Sequence, residues 1–181
     1  MRAGGRDWPR GLLENLTLPL RPSAVLIPIV EKRGDLTMLL TQRAEDLTHH
    51  AGQISFPGGG MEPGDLSLTD TALREAEEEI GIRKSEVEIA GYLAPMPTIS
   101  GYAVTPVVGL LNGDLRLQLD KREVAAAFEV PLEFLLDPAN QEHGSRSING
   151  IDVPIITYQF QSWRIWGATA AMIVELHSKL I

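Results

Sequence analysis

Glu75, Glu78 and Glu79 stand at i, i+3 and i+4 in the run REAEEEIGI, so a helix there carries three carboxylates on an arc of roughly 100°. Ala72, Leu73, Ala76 and Ile80 fill the neighbouring arc and Glu77 points elsewhere. Such a helix buries one stripe and brings its acids to the edge of a core. Carboxylates about 6 Å apart repel pairwise by roughly 3 kcal/mol at an effective dielectric near 20, and by tenths if water surrounds them. A cation among them would remove that cost. Oxygen-only ligation, with no thiolate and no adjacent histidine, suits hard Mg²⁺ or Mn²⁺, ions that bridge to substrate phosphates. A solvated acidic helix face is the plainer reading of AEEE taken alone.

The preceding segment shifts that balance. Pro57 fixes φ, while Gly58, Gly59 and Gly60 allow a tight turn in which carbonyls and amides approach a metal or a phosphate. Three glycines alone signify only a turn. Placed ahead of an acid-lined helix, they describe a metal and phosphate site that takes a small phosphorylated molecule.

FPGGGMEPGDLSLTDTALREAEEEIGI resembles the Nudix box, G-x5-E-x7-R-E-U-x-E-E-x-G-U with U a bulky apolar residue: Gly59, Arg74, Glu75, Ala76, Glu78, Glu79, Gly81 and Ile82 fill their positions. Asp65 stands where the loop glutamate is expected, and eight residues rather than seven separate it from Arg74. That lengthened spacing, with LLTQRAEDLTHHAGQISFPGG upstream, is similar to the coenzyme A pyrophosphatase branch, whose signature is L-L-T-x-R-[S/A]-x3-R-x3-G-x3-F-P-G-G. Leu39, Leu40, Thr41, Arg43, Ala44, Gly52, Phe56, Pro57, Gly58 and Gly59 match, and Thr48 occupies the second arginine position next to His49 and His50. The likeness continues through LAPMPTISGYAVTPVVG and RIWGATAAMIVEL.

The resemblance implies an α/β/α sandwich around a mixed β-sheet and metal-dependent hydrolysis of a diphosphate linkage. Its metal ligands would be Glu75, Glu78, Glu79 and the Gly59 carbonyl. Glu78 or Glu123 would take the proton from water, Glu123 occupying the register of a distant family glutamate, with Glu129 in place of the usual tryptophan. Arg74 would orient Glu75 or Glu78, and Asp65 would make a loop or water-mediated contact. Arg43, Gly58 and Gly60 would meet the substrate, as would the hydroxyls of Thr98, Ser100 and Tyr102 if their segment lines the pocket rather than simply joining strands. The branch points to coenzyme A or acyl-coenzyme A, cleaved to 3′,5′-ADP and 4′-phosphopantetheine or its acyl form. ADP-ribose or another nucleoside diphosphate derivative is the alternative substrate class, and a nucleotide-sensing scaffold without turnover the alternative to an enzyme.

Composition bounds these readings. With 181 residues, 44% of them hydrophobic, the chain can bury a sizeable core, expected at 21–181 behind an N-terminal extension at 1–20. The absence of cysteine excludes disulfides, thiolate catalysis and a cysteine-held zinc, and agrees with a reducing cytoplasm. No signal peptide or 18-residue apolar run is evident, so no membrane association is expected. A net charge of −8 argues against general nucleic-acid binding but not against a small polyanion met by cations at the site. A monomer or a homodimer is compatible with all of this.

Strands are expected at Ser23 to Val30 and Leu36 to Gln42 around a Lys32–Asp35 turn, then at Glu86 to Tyr92 and Ala103 to Leu110. The acidic helix starts near Thr69 or Asp70 and stops at Gly81. Pro95 and Pro97 predict a loop over 94–101, and Pro131 to Leu136 a short helix. Asn149-Gly150 predicts a hairpin between Arg146–Ile148 and Ile151–Phe160, and Ala168 to Leu180 a closing amphipathic helix that starts near Trp166. Trp163 and Trp166 are assigned to packing.

Overall fold

The computed structural model describes residues 18–48, 50–148 and 150–180; the expectations resting on residues 1–17, His49 and Asn149 lie outside the described residues. Strands β1 (Arg21–Lys32) and β2 (Asp35–Arg43) pair antiparallel through Lys32↔Asp35. The two residues between them, Arg33 at φ 55° and Gly34 at φ 93°, give the left-handed backbone that matches strand twist in a two-residue hairpin. Short strands β3 (Ile54–Ser55) and β4 (Gly58–Gly60) lead to helix α1 (Leu68–Ile80), followed by β5 (Glu88–Tyr92), β6 (Met96–Pro97), β7 (Tyr102–Asn112) and β8 (Val124–Pro131). Helix α2 (Leu132–Leu136) precedes β9 (Glu142–Ile148), β10 (Ile151–Phe160), β11 (Trp163–Trp166) and helix α3 (Gly167–Leu180).

The larger sheet runs β3-β2-β1-β7-β5, with β4 also on β1, β6 on β7 and β8 on β2. It is mixed because β1 and β7 are parallel, from Arg21↔Tyr102 to Glu31↔Asn112, while its other pairs are antiparallel. Alternation along β1 sorts its residues between two cores. Ala24, Leu26 and Val30 join Leu39, Val107 and Leu111 against Ala72, Leu73, Ala76 and Ile80 of α1. Ile27 and Ile29 join Met38, Leu40, Leu132 and Leu135 against Tyr158, Ile165, Ile173 and Leu176 on the opposite face. At about 1.5–3 kcal/mol per buried Leu or Ile side chain, a one-residue slip of β1 would forfeit both cores together, which pins the register. The expected α/β/α sandwich is the observed architecture. A second sheet, β11-β10-β9, carries Tyr158 and Ile165 into the core beside α3. Trp163 packs as expected, its ring stacked on Phe128 at 4.2 Å.

Four local features differ from expectation. The glycine segment is not an isolated turn: Gly58–Gly60 forms a strand on Val25, Ala24 and Ser23, completing backbone pairing that β2 does not supply at that end of β1. Met96–Pro97 pairs with Val104 and Ala103, so the expected loop contains a two-residue strand, with Pro97 at its end where a missing N–H is tolerated. Helix α1 starts slightly earlier, at Leu68, and its cap is Ser67, whose Oγ accepts from the Asp70 amide at 3.1 Å; Thr69 instead bonds the Tyr92 hydroxyl. Strand β8 covers VAAAFEVP, where an alanine run gave no alternating pattern, and it pairs with β2 from Thr37 to Arg43. Gly81 ends α1 as predicted, with φ 76° and its amide donating to the Glu77 carbonyl. Strands β9 and β10 pair antiparallel up to Ile148↔Ile151, and the turn expected at Asn149 itself lies outside the described residues.

Candidate active site

Helix α1 presents Glu75 and Glu79 to strand β4, with nothing larger than hydrogen on the facing glycine. A Cβ added at Gly59 would displace the Glu75 carboxylate from its place, and one at Gly58 would collide with the Ala24 and Val25 backbone of β1, so glycine at both keeps strand and acid where they are. Gly58 donates its amide to Glu79 Oε2 at 3.3 Å, and the Gly60 carbonyl accepts from Arg74 Nη2 at 3.0 Å. Both glycines expected to meet substrate are thus joined to the helix by hydrogen bonds.

Arg74 is the hub of the arrangement. Its Nη1 donates to Glu75 Oε1 and Glu78 Oε2, each at 3.0 Å. Its Nε and Nη2 form a fork on Asp65, at 3.0 and 3.1 Å. The orienting role expected of Arg74 has its geometry here, extended to both glutamates. Asp65, expected as a loop contact, is the anchor of the guanidinium, and it also accepts from the Thr71 hydroxyl and the Glu62 amide. These bonds, Arg74 first, hold its carboxyl well below the usual range, and Asp65 chiefly raises the Arg74 pKa. The only sequence signal for this role was the acid's position within the box.

Glu79 is almost wholly enclosed, its side chain 4% exposed, and its nearest cation is Arg43, with Nη1 3.8 Å from Oε1. Burial foremost, then the Glu75 and Glu123 charges, push its pKa up to about 8 against the pull of Arg43 and the Gly58 amide. Burial likewise raises Glu75, helped by Glu78 and Glu123 and opposed by Arg74. Glu123 is exposed at the turn before β8, where its carbonyl accepts from the Ala44 amide at 2.8 Å. The fold brings its charge within reach of both helix acids. Glu78 remains half in water, its side chain 57% exposed.

Arg43 leaves β2 beside this cluster with its Nε buried and without an acceptor among the described residues. Thr48 is exposed in a bend, and His50 turns to Gln53 at 3.1 Å. Thr98 and Ser100 hydroxyls bond each other at 3.0 Å, and Thr98 also closes the turn onto the Tyr102 backbone. They build the turn that presents the Tyr102 ring beside Gly60. Glu129 lies apart from the helix acids, bonded to Lys32 and Thr37.

Among the described residues no three His, Cys, Asp or Glu side chains are already gathered as a cation cluster. Arg74 draws Glu75 and Glu78 to itself, while Glu79 turns to Gly58. The donor set nonetheless fits a hard divalent ion: it consists of oxygens alone, and its innermost carboxylate is buried at a cost that an added cation would relieve.

The NUDIX domain model matches residues 19–148. An uncharacterized Nudix hydrolase NudL from Photorhabdus laumondii is 45% identical over 156 residues, spanning 86% of this chain and 83% of that protein. Its Yersinia pestis counterpart is 44% identical, spanning 86% and 78%. Among solved structures, the MutT protein of Methanosarcina mazei superposes with a TM-score of 0.52 at 28% identity, covering 67% of this chain and 83% of that one. The NUDIX domain of Shewanella oneidensis NrtR, complexed with ADP ribose, gives 0.57 at 16% identity over 95% and 98%, a likeness of fold. The chain belongs to the Nudix hydrolases, enzymes that cleave pyrophosphate bonds in nucleotide derivatives and generally use Mg²⁺ or Mn²⁺. Among the described residues no helix is long and apolar enough to cross a membrane.

Two outcomes follow from this geometry. A carboxyl whose folded pKa lies above its ordinary 4.5 stabilises the fold below that value and loses the contribution as pH rises through about 8. Metal-free protein in EDTA will unfold several degrees lower at pH 8.5 than at pH 5.5, an order-of-magnitude shift, and saturating Mg²⁺ will remove most of the difference. Asp65, shifted the opposite way, titrates below its ordinary 3.8 and leaves that window untouched. Asp65→Asn weakens the Arg74 fork and should lower kcat by roughly 10–100-fold with little change in the circular dichroism spectrum; wild-type kcat would show that the anchor is dispensable.

Proposed function

We propose that this Nudix hydrolase cleaves the diphosphate of coenzyme A or an acyl-coenzyme A, giving 3′,5′-ADP and 4′-phosphopantetheine or its acyl form. The observation that carries this reading is Arg43. It belongs to the LLTQRA…FPGG segment, which folds as β2, β3 and β4 and delivers the guanidinium to the edge of the acidic cluster. A buried donor without an acceptor is costly by about 1–3 kcal/mol, a cost that a phosphate oxygen would remove. The coenzyme A identity itself rests on the likeness of this segment to the branch signature.

The residues divide the chemistry among them. Glu75, Glu78, Glu79 and the Gly59 carbonyl would hold Mg²⁺ or Mn²⁺, which when bound supplies charge neutralisation and polarisation of the diphosphate oxygens. Arg74, fixed by Asp65, keeps Glu75 and Glu78 from splaying apart under their mutual repulsion. Arg43 orients a phosphoryl group toward the cluster. Glu78, open to water on the helix rim, accepts the proton of the attacking water, and Glu123 is the alternative acceptor from the opposite wall. A second substrate reading, ADP-ribose or another nucleoside diphosphate derivative, is favoured by Thr48, which cannot supply the guanidinium of the branch signature.

Initial rates with coenzyme A, an acyl-coenzyme A, ADP-ribose and a dinucleotide, under both Mg²⁺ and Mn²⁺, separate these readings. The expected result is the highest kcat/KM for a coenzyme A substrate, and a clear preference for ADP-ribose would defeat that assignment. Glu78→Gln will lose most turnover and keep its thermal transition; a variant with wild-type kcat would transfer the proton-accepting role to Glu123.

A further inference from the structure

Arg21 opens β1 and is exposed, yet its guanidinium has a fixed seat. It lies over the Tyr102 ring at 4.0 Å from the centroid, in the register that pairs Arg21 with Tyr102 across the parallel strands. The Tyr102 ring in turn lies beside Gly60, whose carbonyl is held by Arg74. Neighbouring residues therefore lead from the helix acids through Arg74, Gly60 and Tyr102 to Arg21. Arg21, Ser23 and Gly60 share the sheet face opposite α1, because Ala24 and Leu26 point to the helix and strand residues alternate.

Among the described residues, Arg21 differs in its charge environment from the cations already paired with acids. Arg74, Arg83, Lys84, Arg122 and Lys32 each hold a carboxylate. Arg21 has no carboxylate partner among the described residues, and its guanidinium carbon lies over an aromatic ring, so its N–H donors are not taken up by an acid. A guanidinium seated on an aromatic ring and free of a carboxylate offers the planar fork of donors that a phosphomonoester takes.

We propose that Arg21, seated on Tyr102, binds a phosphomonoester remote from the diphosphate that is cleaved, so that it selects nucleotides bearing an additional phosphate. This rests on the coenzyme A reading for the identity of that group, the 3′-phosphate of the adenosine moiety. Arg21 is a specificity-determining residue and takes no part in bond breaking; Arg43, beside the acidic cluster, and Arg21, on Tyr102, then hold different phosphates of the substrate.

The test uses 3′,5′-ADP and 5′-AMP as ligands, titrated calorimetrically into the full chain with Mg²⁺ present, for wild type, Arg21→Gln and Arg21→Lys. Loss of one charge-assisted contact corresponds to roughly tenfold in affinity or more. Wild type is expected to bind 3′,5′-ADP at least about tenfold tighter than AMP. Arg21→Gln should abolish that preference while AMP affinity, which also reports an intact fold, stays where it was, and Arg21→Lys should restore it in part. With coenzyme A as substrate, Arg21→Gln should raise KM and leave kcat unchanged. Equal affinity of wild type for the two nucleotides, or a preference that survives in Arg21→Gln, overturns the proposal. Wild-type protein that prefers 3′,5′-ADP but leaves coenzyme A uncleaved would defeat the coenzyme A reading and still support Arg21 as the phosphomonoester site.

Discussion

The site depends on how closely strand β4 runs past its neighbours: a Cβ on Gly58 would collide with the Ala24 and Val25 backbone of β1, and one on Gly59 would displace the Glu75 carboxylate of α1. Much of the site follows from that proximity. It brings the Gly58 amide to Glu79 and the Gly60 carbonyl to Arg74. The strand in turn is held by β1, whose other residues build both hydrophobic cores. Stability and chemistry thus share one strand: the sheet that buries Leu26 and Ile27 also fixes the distance between glycines and acids.

Such closeness concentrates negative charge, and the chain balances it unevenly. Arg74 neutralises the outer carboxylates and is itself braced by Asp65, a shorter acid set one residue further from the arginine than in the common box. The inner carboxylate, Glu79, has only a guanidinium at 3.8 Å and one amide, and its raised pKa expresses that shortfall. A hard divalent cation completes the balance in the proposed mechanism. Arg43 faces both the buried acid and an unfilled hydrogen-bonding direction, which is why the same residue serves charge balance and substrate orientation in this account.

Much of this was legible in the sequence because the signals were local and periodic. Spacing alone placed Glu75 and Glu79 on one stripe and Ala72, Ala76 and Ile80 on the next, and Gly81 marked the stop. The hairpin at Arg33-Gly34 followed from turn chemistry, and β9 and β10 pair on either side of the Asn149-Gly150 dipeptide. What escaped was set by distant partners. Gly58–Gly60 became a strand because β1 needed pairing there, β8 because β2 had a free edge, and neither need is written in the segment itself. The Asp65–Arg74 fork depends on a loop folding back across nine positions, and the Arg21–Tyr102 stack on two strands eighty residues apart lying in register. Ser67 displaced the nearer candidates as helix cap because Asp70 serves the first turn from inside and Thr69 bonds Tyr92.

The central claim is that α1 and β4 together gather a divalent cation. Its most direct measurement is anomalous diffraction from Mn²⁺-soaked crystals that also contain a non-hydrolysable diphosphate analogue. The account predicts a manganese peak ligated by carboxylates of Glu75, Glu78 and Glu79 and by the Gly59 carbonyl, with the diphosphate beside it. Manganese and analogue bound together at another place, with these four groups unligated, would contradict it.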